Sequence, residues 1–210
     1  MLWTIQQSLD GLERYFKLAE REANFSLIRN KDEVRETRTS SGPDRVTPVL
    51  QIRDSSFSLD FFEDGDIFVS RRLVDAMALP DGVVSFHPVD TARCASPVQA
   101  RGYVTMTIHM ESDPLDTKHS DGRMVEMTDA DGFSVTRWEK QSPQPNSPAP
   151  RVVWRNGYAP PADIFRISGT GWTGATDDLA TRVIAARATG LNFVDVAASA
   201  VTGELVVKGR

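Results

Sequence analysis

The sequence has few of the residues that form disulfides or bind metals. Among 210 residues there is one cysteine, Cys94, so no disulfide can form within the chain. The three histidines, His87, His109 and His119, do not form a His-Glu-x-x-His pattern, and no Cys-x-x-Cys is present. These absences exclude a disulfide-stabilised scaffold and the common zinc motifs, so we predict that the protein holds no metal.

Long apolar runs and an excess of positive charge are also absent. No stretch approaches the roughly 20 apolar residues that a membrane span requires, and the first residues lack the basic segment and apolar run of a signal peptide. The net charge is −5, whereas proteins that bind nucleic acid neutralise phosphates with Lys and Arg. We predict a cytoplasmic protein that binds neither membranes nor nucleic acid. An acidic surface would suit a basic protein partner.

The hydrophobic pattern predicts an α+β fold. A chain of 210 residues, 40% of them hydrophobic, can bury a sizeable core. Apolar residues at helical spacing predict an N-terminal helix over 8–24. The middle of the chain is rich in strand patterns, from which we predict a mixed, mainly antiparallel sheet. The predicted strands cover residues 49–52, 57–62, 103–110, 123–128, 133–139, 151–155 and 204–208, with a hairpin turn at 129–132.

Two stretches, 67–86 and 163–196, each read as strand, helix and strand. In the first, Ser70 is placed to cap the helix. In the second, a Ser-Gly-Thr-Gly turn is followed by a helix starting at 176–178, where a threonine and two aspartates suit an N-terminus. Gly190 is predicted to end that helix. We therefore expect one strand–helix–strand element used twice.

A proline-rich segment at 141–150 separates the second element from most of the chain. Prolines cannot donate the hydrogen bonds of a central strand, so this segment is predicted to be a semi-extended connector. The chain beyond it is too short to bury much core alone. We predict one domain over 1–210 with two lobes, about 1–140 and 151–210.

Residue patterns for catalysis are weak. Cys94 with His87 is a conceivable nucleophile and base, but no third, orienting residue is evident. His109 and Glu111 could share one strand face. Gly169 to Gly171 lacks both the dinucleotide fingerprint and a Gly-Lys-Ser/Thr end, and residues 129–132 fit a hairpin turn better than a calcium loop. We predict a protein that is not an enzyme and has no cofactor.

Acidic side chains gather instead in the predicted turns, where binding groups are often carried. One cluster lies at 60–66 and another at 111–131. Aromatic residues are common anchors of protein interfaces, and Trp138 and Trp154 lie on predicted strands that flank the proline-rich connector. The predicted interface residues are Asp60, Glu63, Asp64, Asp113, Asp116, Asp129, Asp131 and Trp138.

In residues 67–76 and 82–89, a valine and a serine are followed in turn by a predicted helix, a glycine, a phenylalanine and a proline. This order resembles the immunity-protein family numbered eleven among bacterial polymorphic toxin systems, formerly a domain of unknown function. Residues 103–116 resemble its central strand with the acidic stretch that follows, and 163–167 and 190–196 resemble its C-terminal portion. The resemblance covers about 57–196, and it carries over no functional residue.

The resemblance implies a cytoplasmic immunity-type domain that binds and neutralises a cognate toxin, a secreted antibacterial effector. We expect the acidic turns to meet a basic cleft and occlude the active site of that toxin. Two alternatives stay open. One is an adaptor or chaperone that loads an effector without inhibiting it, and the other is a small enzyme that uses Cys94 with His87, or His109 with Glu111.

Overall fold

The computed structural model describes residues 1–8, 26–28, 47–64, 66–128, 134–141, 150–202 and 207–208. It confirms an α+β fold in which most strand pairs are antiparallel. Within these ranges, no helix is long and apolar enough to cross a membrane. The elements are β1 (Leu2–Gln7), β2 (Ser26–Ile28), β3 (Leu50–Gln51), β4 (Phe61–Asp64), β5 (Asp66–Val69), α1 (Arg71–Met77), β6 (Val84–Pro88), α2 (Ser96–Gln99), β7 (Val104–Ile108), β8 (Glu111–Ser112), β9 (Gly122–Thr128), β10 (Ser134–Lys140), β11 (Ile164–Ile167), β12 (Thr173–Thr176), α3 (Asp177–Ala185), β13 (Leu191–Val194) and α4 (Val196–Thr202).

The chain divides into two compact units, each assembled from separate stretches. Unit 1 contains Met1–Gln6, Ile108–Thr181 and Asn192–Arg210, and unit 2 contains Gln7–Thr107 and Arg182–Leu191. This division follows the contacts of the chain and not the proline-rich connector, most of which lies outside the described residues. The single domain over 1–210 stays a prediction.

Unit 1 is built on a five-stranded sheet with the order β13-β1-β12-β11-β8. β12 pairs antiparallel with both β1 and β11, whereas β8 runs parallel to β11. β1 was not predicted from the sequence. Its first residue, Leu2, packs with Phe165 and Ile167 of β11, and a second cluster gathers around Leu115 and Trp138. The beginning of the chain is therefore part of the core of unit 1.

Unit 2 is built on a four-stranded sheet with the order β4-β5-β7-β6. Aromatic rings fill its core. Phe62 and Phe68 stack with ring centroids 4.9 Å apart, and Phe57 and Tyr103 pack edge-on against Phe62. Such ring pairs add about 0.5–1.5 kcal/mol beyond their area burial. This cluster anchors the segment just before β4.

The first predicted strand–helix–strand element is confirmed as β5, α1 and β6. Ser70 caps α1 as predicted, because its Oγ accepts a hydrogen bond from the N–H of Leu73 at 3.3 Å. Leu73 and Met77 are buried on one face of the helix. In the sheet, β7 lies between β5 and β6, so the two strands of the element are not neighbours.

The second element starts its helix where the sequence predicted and differs elsewhere. Thr176 Oγ1 accepts a hydrogen bond from the N–H of Leu179 at 3.3 Å and so caps α3. An additional strand, β12, precedes α3, because the turn at 168–171 reverses the chain into a hairpin with β11. The prediction that Gly190 ends the helix is wrong. α3 ends at Ala185, and Gly190 has a φ of +93° where a side chain would overlap the carbonyl oxygen of Phe61.

Other strand predictions are confirmed in part. β3 falls within 49–52, and β9 and β10 form the predicted hairpin in seven paired positions. The strand at 57–62 begins only at Phe61, and that at 151–155 reduces to one bridge between Trp154 and Leu115. Within 103–110 the strand is β7, and residues on both of its faces are buried, Met106 and Ile108 on one face and Thr105 on the other. The predicted helix over 8–24 lies almost wholly outside the described residues, as does most of 204–208.

Candidate functional site

Two of the predicted interface residues lie on one segment of unit 1, which we call the acidic loop (residues 111–121). It contains four carboxylates and one lysine. Asp113 is exposed and forms an ion pair with Arg155. The Oδ2 atom of Asp116 lies 2.7 Å from Nδ1 of His119, and this hydrogen bond is the main reason that the pKa of Asp116 is lowered. Asp116 is therefore ionised at neutral pH, and the side chains of both Asp113 and Asp116 reach the surface.

Backbone hydrogen bonds fasten the acidic loop to residues 151–155. The N–H of Asp116 donates to the carbonyl of Val153 at 2.9 Å, and the N–H of Arg155 donates to that of Pro114 at 2.8 Å. Ser120 Oγ accepts from the N–H of Val153 at 2.8 Å. Leu115, within the loop, is buried in the core of unit 1. The carboxylates are thus carried on an ordered backbone, which lowers the entropy that a partner must remove on binding.

The β9–β10 hairpin follows the acidic loop directly in sequence. Its residues are mostly exposed, including two large apolar side chains, Met124 at 56% and Met127 at 41% exposed. Because they stand three positions apart on a strand, the two methionines lie on opposite faces of the hairpin. Methionine adapts its shape to different partners. The hairpin therefore offers exposed apolar side chains in the segment that directly follows the acidic loop.

The prediction that Trp138 anchors an interface is wrong. Its side chain is only 4% exposed and packs edge-on against Trp172, with ring centroids 5.7 Å apart. Gly122, its neighbour across the hairpin, leaves the space that the indole ring fills. Trp138 belongs to the core of unit 1 because a large apolar ring gains more by burial there than by exposure.

Asp60 is also misassigned as a surface residue, because its side chain is fully buried in unit 2. The carboxylate accepts hydrogen bonds from Ser70 Oγ at 2.7 Å and from the N–H of Thr189 at 2.9 Å. Arg72 and Arg101 form ion pairs with it, the second at 3.1 Å. Burial alone would raise the pKa of Asp60, but the hydrogen bonds from Arg72, Ser70 and Thr189 outweigh it and lower the pKa. Asp60 is therefore a buried, ionised acid.

The remaining interface predictions belong to different parts of the chain. Glu63 is exposed on β4 of unit 2. Asp64 ends β4 and pairs with Asp66, the first residue of β5. Asp129 and Asp131 lie outside the described residues. The structure thus brings Asp113 and Asp116 together in unit 1, and leaves Glu63 on the other unit.

Cys94 does not have the environment of a nucleophile. Its buried thiol donates to the carbonyl of Leu50 at 3.4 Å, and its sulfur accepts from the N–H of Ile52 at 3.4 Å. Burial raises the pKa of the thiol, whereas catalytic cysteines have lowered pKa values. His87 places Nε2 3.0 Å from Ser85 Oγ. The geometry of Cys94 is that of a buried side chain that joins two backbone segments.

His109 and Glu111, the second pair considered for catalysis, are both exposed. His109 directly follows β7, and Glu111 is the first residue of β8. Among the residues that the structure describes, no group of three or more His, Cys, Asp or Glu side chains is arranged to hold a metal ion. No protein-family model and no curated protein matches the chain. The family resemblance therefore stays a prediction.

The arginines that surround Asp60 were not predicted from the sequence. One signal was available, since Asp60 interrupts an apolar run of phenylalanines and leucine at 57–62. An acid within such a run is rarely buried unless it is paired. Its partners could not be identified from the sequence, because Arg101 and Thr189 stand 41 and 129 positions away.

Proposed function

We propose that this protein is a non-enzymatic immunity protein that acts in the cytoplasm by binding a secreted antibacterial toxin and covering its active site. The observation that carries the proposal is the acidic loop, whose exposed carboxylates stand on a backbone ordered by hydrogen bonds. The resemblance described above supplies the functional class. The raised pKa and burial of the Cys94 thiol favour a binding role over thiol catalysis.

Charge explains how the acidic loop would select its partner. Fixed negative groups attract a basic surface, speed encounter and disfavour acidic competitors. Asp113 and Asp121 are already paired with Arg155 and Arg151, but these pairs are exposed. An exposed ion pair contributes roughly 0–1 kcal/mol, so exchanging it for a partner's cation costs little. A toxin that acts on an anionic substrate has the basic cleft that this surface fits.

The hairpin would add apolar contact to the charged surface. Protein interfaces commonly combine an apolar centre with a polar rim, and methionine is enriched in them. Met124 and Met127 are the exposed large apolar residues of the hairpin. Replacing both with serine should weaken binding of the toxin through faster dissociation, whereas loss of charge in the acidic loop should slow association.

Co-expression in bacteria tests the proposal. The open reading frame beside this gene is induced alone and then together with this protein, and surviving cells are counted. We expect the neighbour to kill, this protein to restore survival, and the two proteins to co-purify. Killing that persists in the presence of this protein would contradict an immunity role. Co-purification without loss of the effector's activity would identify an adaptor or chaperone instead.

A further inference from the structure

Unit 2 contains an open pocket of about 380 Å³ whose charge is opposite to that of the whole chain. Three arginines line it, Arg71, Arg72 and Arg101, with Asp60 as its acidic residue. Pro97 and Ala100 supply small apolar walls. The volume lies within the range of small-molecule sites, roughly 300–1,000 Å³. A pocket rich in arginine is unexpected in a protein with a net charge of −5.

The charges of this pocket do not cancel. The single carboxylate of Asp60 faces two arginines, Arg72 and Arg101. Arg71 does not pair with Asp60 but forms an exposed ion pair with Asp75 at 3.4 Å. Counting all five groups, three positive charges stand against two negative ones. One positive charge is therefore left over at the pocket, and it is carried by guanidinium groups that line the open space.

Hydrogen-bond donors are also left over. A guanidinium group has five N–H donors. Arg101 uses Nη1 to reach Asp60, and Arg72 uses Nε and Nη2 for Asp60 and for the carbonyl of Arg187. Within the described part of the chain, Nε and Nη2 of Arg101 and Nη1 of Arg72 have no acceptor. Planar N–H pairs of this kind match the oxygens of phosphate groups.

The backbone that carries these arginines is held in place. The N–H of Arg71 donates to the carbonyl of Arg101 at 2.9 Å, and the N–H of Ser70 donates to that of Asp60 at 2.8 Å. Gly102 has a φ of +62° and turns the chain beside Arg71. Asp60 then orients the side chains of Arg72 and Arg101 by direct contact. The donors are thus positioned before any ligand arrives.

We infer that this pocket binds a small molecule through its phosphate group, with Arg72 and Arg101 as the main contacts and Arg71 at the rim. A purely structural role for Asp60 would need only one guanidinium group to balance its charge. The surplus charge and unused donors suit a phosphate, which carries more than one negative charge near neutral pH, better than a single carboxylate. This inference goes beyond the proposed function and does not depend on the acidic loop.

Calorimetric titration of the full chain with pyrophosphate tests the inference, at constant ionic strength set by sodium chloride. We expect saturable binding with one site per chain. Arg71→Gln should weaken the affinity about tenfold, because it removes one charge-assisted contact. The Arg71 side chain is 72% exposed, so this variant should fold normally. Arg93→Gln is the matched control, since Arg93 is exposed in the same unit and does not line the pocket.

Two further ligands identify the source of the phosphate. Inorganic phosphate represents the free anion, and glucose 6-phosphate represents a phosphate on an organic molecule. Binding of inorganic phosphate or glucose 6-phosphate that is tighter than binding of chloride supports the inference. The order of the two affinities tells whether the pocket prefers the free anion or the organic phosphate. No saturable binding of any of the three ligands would overturn it. Equal affinity of the wild-type and Arg71→Gln proteins, or an equal loss in Arg93→Gln, would also overturn it.

Discussion

Asp60 in unit 2 and Asp113 in unit 1 both form ion pairs with arginine, and they differ in their exposure to water. Asp60 is fully buried, whereas the Asp113 side chain is 46% exposed. A buried carboxylate that loses its partners has no water to replace them, but an exposed one does. The same pair of residue types therefore holds a structure together in one unit and leaves a charge available for binding in the other.

Removing Asp60 should have the largest effect. Asp60→Ala leaves Arg72 and Arg101 facing an unfilled, partly buried space, and breaking a buried ion pair costs about 3–5 kcal/mol of unfolding free energy. Asp113→Ala is the exposed control, with an expected loss within about 1 kcal/mol. Urea unfolding followed by far-ultraviolet circular dichroism measures both. Similar losses in the two variants would remove the distinction between the two pairings.

Tryptophan fluorescence sharpens that experiment, because the four tryptophans belong to unit 1. They are Trp3, Trp138, Trp154 and Trp172. If the two units unfold independently, Asp60→Ala will lower the dichroism midpoint and leave the fluorescence midpoint unchanged. If they unfold together, the two midpoints will fall by the same amount. Either result gives the stability contribution of Asp60.

Gly190 should show the next largest effect, because it supports the backbone that donates to Asp60. Gly190→Ala would place a methyl group against the carbonyl of Phe61 and also strain a φ of +93°. Gly157→Ala is the matched control, since its φ is +71° but nothing lies within 4 Å of the added group. We expect a loss of roughly 1 kcal/mol for the control and at least twice that for Gly190→Ala. Equal losses in thermal unfolding would show that the close approach to Phe61 is unimportant.

Acid should weaken unit 2 through Asp60. The pKa of Asp60 is lowered on folding, so its contribution to stability is complete above the pKa of an unfolded aspartate, about 3.9, and disappears as the pH falls through the folded value. The difference in unfolding free energy between wild type and Asp60→Asn should therefore shrink below about pH 4. Asp116→Asn is the exposed comparison, and its smaller difference should vanish over the same range. A difference for Asp60→Asn that is constant from pH 7 to pH 2 would contradict the lowered pKa.

Local signals account for what the sequence predicted correctly. Ser70 and Thr176 each cap a helix by accepting a hydrogen bond from the N–H three residues ahead. The β9–β10 hairpin follows from the strand patterns on either side of one turn. β1 was missed because its stability comes from β12, about 170 positions along the chain. The acidic loop was found because exposed carboxylates in a turn need no distant partner. Asp60 was misassigned for the opposite reason, since its partners are distant and only the folded chain brings them together.

The smallest effect on stability should come from the acidic loop, where the effect on binding should be clear. Asp113→Lys with Asp116→Lys changes the net charge by +4, from −5 to −1. We expect the unfolding free energy to change little, because both side chains reach water. Association with the toxin identified by co-expression should slow about tenfold at low salt and depend less on salt.

A charge-matched control distinguishes the effect of the acidic loop on association from the effect of the net charge. Asp81→Lys with Asp178→Lys makes the same change at exposed positions outside the acidic loop. Stopped-flow association should show little slowing in this control, since the attraction depends on where the charges stand. Glu63→Lys adds a test of the exposed acid in unit 2. If the control slows association as much as the loop variant, the attraction belongs to the whole chain. If Glu63→Lys alone slows it, the toxin binds unit 2.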